Sequence, residues 1–447
     1  MPQRKKQKEK NHKKRSNNHN NSKHKILLVE KLKGFFYFYN YPISFRKKIT
    51  YFVANLSLTI KNMSLDLLLP IEDIAMAHTA LLSDLSLGKK IKLHTKQNGI
   101  PKLKNIQIAI IGVQEGRNAV DNIGTGKNLE IIRKYLYQMF PGNWHINIAD
   151  LGNIPQGNQV EDTYYIMQDI LAQLIKKNIT PIIIGGSQDL TYANYRAYDN
   201  LEQTVNIVSV DNRFDMGELE GSTTSHNYLH KIVMEKPSNL FNYSNIGFQT
   251  FFNSQEEIVL VDKMYFDAYR LGEITNDLTE VEPILRDADI ISVDISAVRK
   301  SDAPGNNNAV PNGFYGDQIC TISRYAGISR KVSSFGIYEF NAKYDEREQT
   351  AHLIAQMIWY FIEGYNLRID EYPFESKDKY KKYIVLVEND TINFYKSHKS
   401  ERWWMEITYF NNKLKNSTLI PCTYQDYLTA NNQIYPERWL KSFRKFN

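Results

Sequence analysis

From residue 106 onward the chain sets short, fully apolar runs against longer stretches of helical spacing. Residues 106–112 form such a run, ended by Gly112. Residues 127–140 place Leu129, Ile132, Leu136 and Met139 at helical spacing, which predicts an amphipathic helix. Further on, 144–149 reads as strand, 160–177 as helix, 181–185 as strand, 188–198 as helix and 205–210 as strand. Strands are also predicted at 244–249, 289–294 and 332–338. Helices are predicted over 317–327 and 346–364, the latter ended by Gly364. Runs such as Pro181-Ile182-Ile183-Ile184 do not alternate with polar residues, so both faces of those strands should be covered. Strand and helix alternating at these lengths predict an α/β fold, a three-layer α/β/α sandwich around a mainly parallel sheet. No repeat period is present.

The rhythm changes at both ends. After residue 368, Tyr383-Ile384-Val385-Leu386-Val387 and Ile392-Asn393-Phe394-Tyr395 flank Glu388-Asn389-Asp390-Thr391, the signature of a hairpin. Residues 369–447 are rich in aromatics, among them Trp403, Trp404, Tyr427 and Trp439, and read as an appendage packed on the main domain. Such aromatics can stack on bases, but burying area is the commoner use and is the expectation here. At the other end, residues 1–24 are Lys, Arg, Asn and His with almost nothing apolar, a solvated and disordered tail. Residues 25–62 hold apolar bursts broken by Pro42 and by Arg46-Lys47-Lys48, each shorter than the roughly 18–20 residues of a membrane span. No signal-peptide cleavage pattern follows them. The expected organisation is a basic leader over 1–62, an α/β domain over 63–368 beginning at Met63, and the extension 369–447.

Charge supports that division. The chain carries +7, yet residues 1–62 hold 16 Lys/Arg against 2 Asp/Glu, which leaves 40 against 47 for the rest. The globular part is therefore mildly acidic and gives no reason to expect nucleic acid on the core. Two cysteines, Cys320 and Cys422, make no disulfide framework, which points to a reducing, cytoplasmic setting.

Three polar stretches follow apolar runs: Gly185-Gly186-Ser187-Gln188-Asp189, Asp211-Asn212-Arg213-Phe214-Asp215 and Ser292-Val293-Asp294-Ile295-Ser296. Polar groups at the carboxyl ends of parallel strands are where open α/β sheets build sites. The three stretches resemble G-G-D-H-S, D-A-H-x-D and S-x-D-x-D of the ureohydrolase superfamily, which includes arginase, agmatinase and formimidoylglutamase. The likeness extends over roughly 103–365. It takes in Asn122-Ile123-Gly124, the turn-like Asp150-Leu151-Gly152-Asn153, Ala303-Pro304-Gly305 with Gly313, and Glu339-Phe340-Asn341 with Asp345.

The resemblance implies two manganese ions that activate a hydroxide against an amidine carbon. Carried over, the first metal position becomes Gln188, Asp211, Asp215 and Asp294, all oxygen donors. The second loses its own ligands to Arg213 and Ser296. Cofactor expectations are therefore no metal or a single divalent ion, Mn, Mg or Ca. Arginine has no lone pair to offer, but Arg213 could neutralise Asp211 and Asp215 bidentately, and Arg299, another replacement of an acidic residue, adds charge nearby. Three readings stay open: a buried ion-pair network, a single-metal site, or a site rebuilt from other residues. By the same resemblance Glu339 faces the amidine or guanidinium of a substrate, and His226 and Asn227 lie on a substrate-contacting loop. His226 and His230 could be a relocated ligand or a proton shuttle; surface or capping histidines are the plainer reading. His78 and His352 sit in packing contexts. The implied reaction is hydrolysis of a C–N bond in a linear amidine, formimidoylglutamate or a guanidino compound, with the formimidoylglutamase branch favoured over arginase. The alternative is a non-catalytic scaffold or binder of a cationic guanidino or amidine ligand. No catalytic residue stands out, and the family leaves room for a homo-oligomer.

Overall fold

The computed structural model describes residues 64–199, 201, 203–218, 221–371, 377–411 and 414–446. The basic leader predicted over 1–62 lies outside the described residues. Leu65–Asn447 makes up one unit of the chain, and everything below belongs to it.

Its centre is a nine-stranded sheet: β1 (Lys92–Leu93), β2 (Ile108–Val113), β3 (Ile148–Ile154), β4 (Thr180–Ile184), β5 (Val205–Val210), β6 (Leu240–Phe248), β7 (Asp267–Arg270), β8 (Ile290–Asp294) and β9 (Ser334–Tyr338). The strand order is β1-β3-β2-β4-β9-β8-β5-β6-β7, and every neighbouring pair runs parallel. The unbroken apolar runs have the predicted cause. Ile182 and Ile184 pack into one core, with the helices Glu130–Gln138, Gly316–Ile328 and Gln349–Asn366. Ile183, between them, packs into the other, with Val160–Lys176, Leu190–Arg196 and Tyr228–Met234. Two helix layers thus cover the sheet, the expected α/β/α sandwich.

Three local readings shift. The strand expected at 144–149 is Ile148–Ile154, because the Asp150-Leu151-Gly152-Asn153 stretch is no turn. It lies inside β3 at a bulge against β2, where Gly152 takes φ 79°. The helix expected from 346 starts at Gln349, since Arg347 and Glu348 hold left-handed φ values of 53° and 60°. The short edge strand β7 was not expected at all; three of its residues are half-buried, Arg270 is exposed, and none forms an apolar run.

After the main sheet comes a four-stranded antiparallel meander: β10 (Tyr380–Val387), β11 (Asp390–Ser397), β12 (Trp403–Asn411) and β13 (Leu414–Cys422), then helices Tyr424–Asn431 and Glu437–Phe446. Its aromatics stack on one another, Trp403 on Tyr427 at 5.0 Å and Tyr435 on Trp439 at 5.1 Å. Arg286 ties the meander to the main domain, donating to the carbonyls of Trp403 (3.1 Å) and Cys422 (3.2 Å). Among the described residues no helix is long and apolar enough to cross a membrane.

Candidate metal and ligand site

Strands β4, β9, β8 and β5 are consecutive in the middle of the sheet, and their carboxyl ends deliver Gln188, Glu339, Asp294, and Asp211 with Asp215 to one place. The local causes are specific. Gly186 presses on the Glu115 carbonyl so closely that a Cβ would have no room. That approach lets Ser187 N–H reach the Glu115 carbonyl (3.0 Å) and Glu339 N–H the Gly186 carbonyl (2.8 Å). Gln188 N–H then donates to Glu339 Oε1 (2.9 Å), while Asn122 Nδ2 donates to Oε2 (2.8 Å). Asp294 Oδ1 caps the turn Ile295–Ala297 by accepting Ser296 N–H (2.6 Å), and Asp211 Oδ1 accepts Arg213 N–H (2.9 Å). Asp215 and Glu339 both sit in the left-handed region, at φ 56° and 67°. Strain of that kind, about 1–3 kcal/mol each, persists where the surroundings fix it and clusters at functional sites.

Electrostatically the cluster is unbalanced. Burial pushes Asp211 up to about 6 and Glu339 up to about 8, the latter against the opposing hydrogen bonds from Asn122 and Gln188. Asp215 is raised well above the carboxylate range by burial and then by Asp211 and Asp294, and Asp294 by burial and then by Asp211 and Glu339. Three buried oxygens, Gln188 Oε1, Asp211 Oδ2 and Asp215 Oδ2, have no hydrogen-bond partner among the described residues. The Gln188 amide nitrogen makes long contacts to Ser209 Oγ (3.4 Å) and Ser292 Oγ (3.5 Å), and the Gln188 side chain also lowers Asp211 by hydrogen bonding.

The profile of the arginase family matches residues 107–363. The chain belongs to the arginase family. Among its relatives are the formimidoylglutamase of Staphylococcus epidermidis, 25% identical over 262 residues, which span 56% of this chain and 78% of that protein. The Bacillus subtilis formimidoylglutamase is 23% identical over 278 residues, 58% of this chain and 87% of that protein. Two solved structures share the fold. A Trypanosoma cruzi formiminoglutamase with Mn2+ aligns at TM-score 0.55 and 18% identity over 60% of this chain and 96% of that one. The Bacillus subtilis formimidoylglutamase aligns at TM-score 0.55 and 20% identity over 66% and 99%. The family match ends before the meander.

Family membership makes manganese the ion to test against these residues. Among the described residues no group of three or more His, Cys, Asp and Glu is arranged to hold a metal ion. What the first position offers is donor chemistry, an amide oxygen and three carboxylates, with three buried oxygens lacking a partner. At the second position the donors do not fit. Ser296 is engaged by Asn212, whose Nδ2 donates to its carbonyl (3.0 Å) and, more weakly, to its hydroxyl (3.4 Å).

Arg213 departs from the bidentate pairing expected of it. Its guanidinium lies over the Phe252 ring (4.8 Å) and donates through Nη1 to the Phe252 carbonyl (3.1 Å). No ion pair among the described residues joins it to Asp211, Asp215 or Asp294, although its charge still lowers the first two from a distance. The reason is a ring and a free carbonyl contributed by the turn after β6, which offer the guanidinium a stack and an acceptor away from the acids. Arg299 likewise turns elsewhere, to Asp302 (2.8 Å).

Arg213, His226, Phe252, Asp294, Ser296 and Glu339 line a narrow, partly open cavity of about 20 Å³, room for one water-sized group. His226 is held down to about 4 by burial and by Arg213, so its ring is neutral at pH 7. Asn227 does not line the cavity. It builds the loop, accepting Thr224 N–H (2.7 Å) and donating to the Glu218 carbonyl (3.1 Å). His230 is tied to the Gly217 carbonyl (3.0 Å), and His352 stacks on Tyr135 at 4.5 Å. Sequence reasoning missed the roles of Asn122 and Phe252. The first was visible as part of the Asn122-Ile123-Gly124 likeness; the second carries no signal before folding.

Proposed function

We propose that this arginase-family chain holds a single hard divalent cation where its relatives' family holds two, and receives the amidine or guanidinium group of a small ligand against Glu339. Its reaction would be hydrolysis of a C–N bond in a linear amidine, with a formimidoyl compound favoured over a guanidino one by the relatives it resembles. The observation that carries this is the trio of partnerless buried oxygens on Gln188, Asp211 and Asp215. Buried polar groups almost always find partners, so three in one cluster of acids support a cation there. Asp294 completes the donor set. A divalent ion there would supply positive charge and a bound water of lowered pKa. Around it Asn122 and the Gln188 N–H hold the Glu339 carboxylate in one orientation, so that it can meet a cationic ligand. The neutral His226 ring offers one donor and one acceptor at the cavity wall, and is too weak a base to take a proton at pH 7.

The engaged Ser296 and the outward Arg213 favour a second reading, a binder of the same cationic ligand without turnover. Elemental analysis of the full chain after manganese loading and desalting separates the cases, together with an assay of formamide, ammonia and urea release. One metal per chain with release supports the proposal. One metal without release supports the binder. Two metals, or none at any divalent concentration, overturns the single-cation site.

A further inference from the structure

On the other side of residues 249–253 from the cavity lies an open groove of about 420 Å³, a volume typical of small-ligand sites. Its lining includes Phe248, Phe251, Tyr315, Arg270 and Arg299, and contains no Asp or Glu. We propose that this groove binds an anionic ligand with a flat apolar body, a carboxylate or phosphate carried on an aromatic ring.

Charge is the first argument. Residues 63–447 carry a net acidic balance, yet two guanidinium groups face one groove with no acid on its wall. Arg270 takes part in no ion pair among the described residues. Arg299 is half engaged: its Nε donates to Asp302 (2.8 Å), and no other hydrogen bond from its guanidinium occurs among the described residues. An arginine fork with free terminal N–H groups is suited to a carboxylate or phosphate.

Aromatic surface is the second argument. The Arg299 guanidinium lies 3.7 Å from the centre of the Tyr315 ring, which fixes its plane before any ligand arrives. Phe251 is 70% exposed and Tyr315 47%, a large apolar area to leave in water at the mouth of a charged groove. A flat ring entering between them would cover that area while its anion meets the arginines. The groove also touches the candidate site: the Phe251 and Phe252 rings stand 4.7 Å apart, and Phe252 carries Arg213. The proposal stands whether or not the acid cluster holds a cation, since the groove shares none of its residues.

Calorimetric titration of the full chain with phenyl phosphate, benzoate, inorganic phosphate and benzylamine tests it. Phenyl phosphate or benzoate should bind once per chain with Kd below about 1 mM, and the tighter of the two identifies the anion. Inorganic phosphate should bind about tenfold more weakly for want of the ring, and benzylamine should not bind. Arg270→Ala and Phe251→Ala change exposed side chains, so both should fold with unchanged melting temperature and lose about tenfold in affinity. Arg299→Lys should lose a similar factor, because a lysine keeps the charge but neither the fork nor the stack. Absence of binding to about 10 mM, affinity unchanged in the Arg270→Ala/Phe251→Ala double variant, or a second copy of the chain seated over the groove in solution would each overturn the proposal.

Discussion

Two buried clusters flank the same sheet and are built on opposite principles. In the first, Arg133 is fully enclosed and each of its five N–H groups has an acceptor. Asp150 takes two (2.8 and 3.1 Å), and Glu130 (2.9 Å), Asn153 (2.7 Å) and the Gly152 carbonyl (3.0 Å) take the others. Tyr137 adds a hydrogen bond to Asp150 (2.8 Å). In the second, Asp211, Asp215 and Asp294 gather with an amide, no cation of the chain pairs with them among the described residues, and oxygens are left over. The first cluster satisfies every N–H of its arginine, leaves one oxygen, Glu130 Oε2, without a partner among the described residues, and ties the helix Glu130–Gln138 to β3. The second has no cation of its own and leaves oxygens of Gln188, Asp211 and Asp215 without a partner among the described residues. Buried acids without a counter-ion either keep their protons or take a metal, and the raised values of Asp211 and Glu339 describe the first of those states.

The contrast breaks most forcefully at Arg133. Arg133→Ala leaves Asp150 and Glu130 buried without their partner, which should cost about 3–5 kcal/mol at neutral pH. Urea unfolding monitored by tryptophan fluorescence measures it. A loss below about 1 kcal/mol would mean that the network is dispensable and the comparison false.

The second cluster should make metal-free protein less stable as pH rises. Unfolded, Glu339 and Asp211 release their protons near 4.5 and 3.8; folded, they hold them to about 8 and about 6. Stability from that difference is full below pH 4 and is lost as pH climbs through 8, on the order of 5 kcal/mol for Glu339. A divalent cation reverses the sign, because it favours the ionised acids. The gap in melting temperature between protein in excess Mg2+ or Ca2+ and protein in chelator should therefore widen from pH 5 to pH 8. A gap that is zero throughout would remove the cation from the account.

Asp215→Asn sharpens the same point with a smaller effect. Replacing one of the strongly raised acids by its neutral isostere should leave metal-free protein unchanged or about 1–2 kcal/mol more stable at pH 8. It should also erase the response to divalent ions. Stability that falls in chelator would show Asp215 to be hydrogen-bonded rather than crowded.

Much of this arrangement was legible beforehand, and the rest was hidden for physical reasons. β5, Val and Ile with Asn206 and Ser209 among them, coincides with its predicted limits, because burial on both faces leaves one interpretation. Gln188, Asp211, Asp215, Asp294 and Glu339 come together because each ends a strand, and strand ends can be read from apolar runs. Phe252 could not be placed, since it reaches Arg213 from a turn about forty residues away in sequence. β12 and β13 escaped because aromatics crowd the first and polar residues interrupt both, so no period of two stands out. The bulge in β3 escaped because Asp-x-Gly-Asn is also good turn chemistry.

Arg213 decides the smallest effect, and the direction its side chain takes sets the size. If the guanidinium paired with the acids, as its place between Asp211 and Asp215 suggests, Arg213→Ala would expose their repulsion and cost about 3–5 kcal/mol. Lying on Phe252 instead, it gives up one stack and one hydrogen bond, about 1–2 kcal/mol in all. The loss should be only slightly larger at pH 8 than at pH 5, because neither contact titrates and Arg213 lowers Asp211 and Asp215 only from a distance. A loss that grows steeply with pH would return Arg213 to the acids. The same position offers a constructive test: Arg213→His with Gln188→His and Ser296→Asp restores the family's ligand types at all three replaced positions. That variant should bind two manganese ions per chain where the parent binds at most one. Failure to gain the second ion in a variant that melts like the parent would mean that Asn212 and the turn Ile295–Ala297 hold the second position in a shape no ligand exchange can reopen.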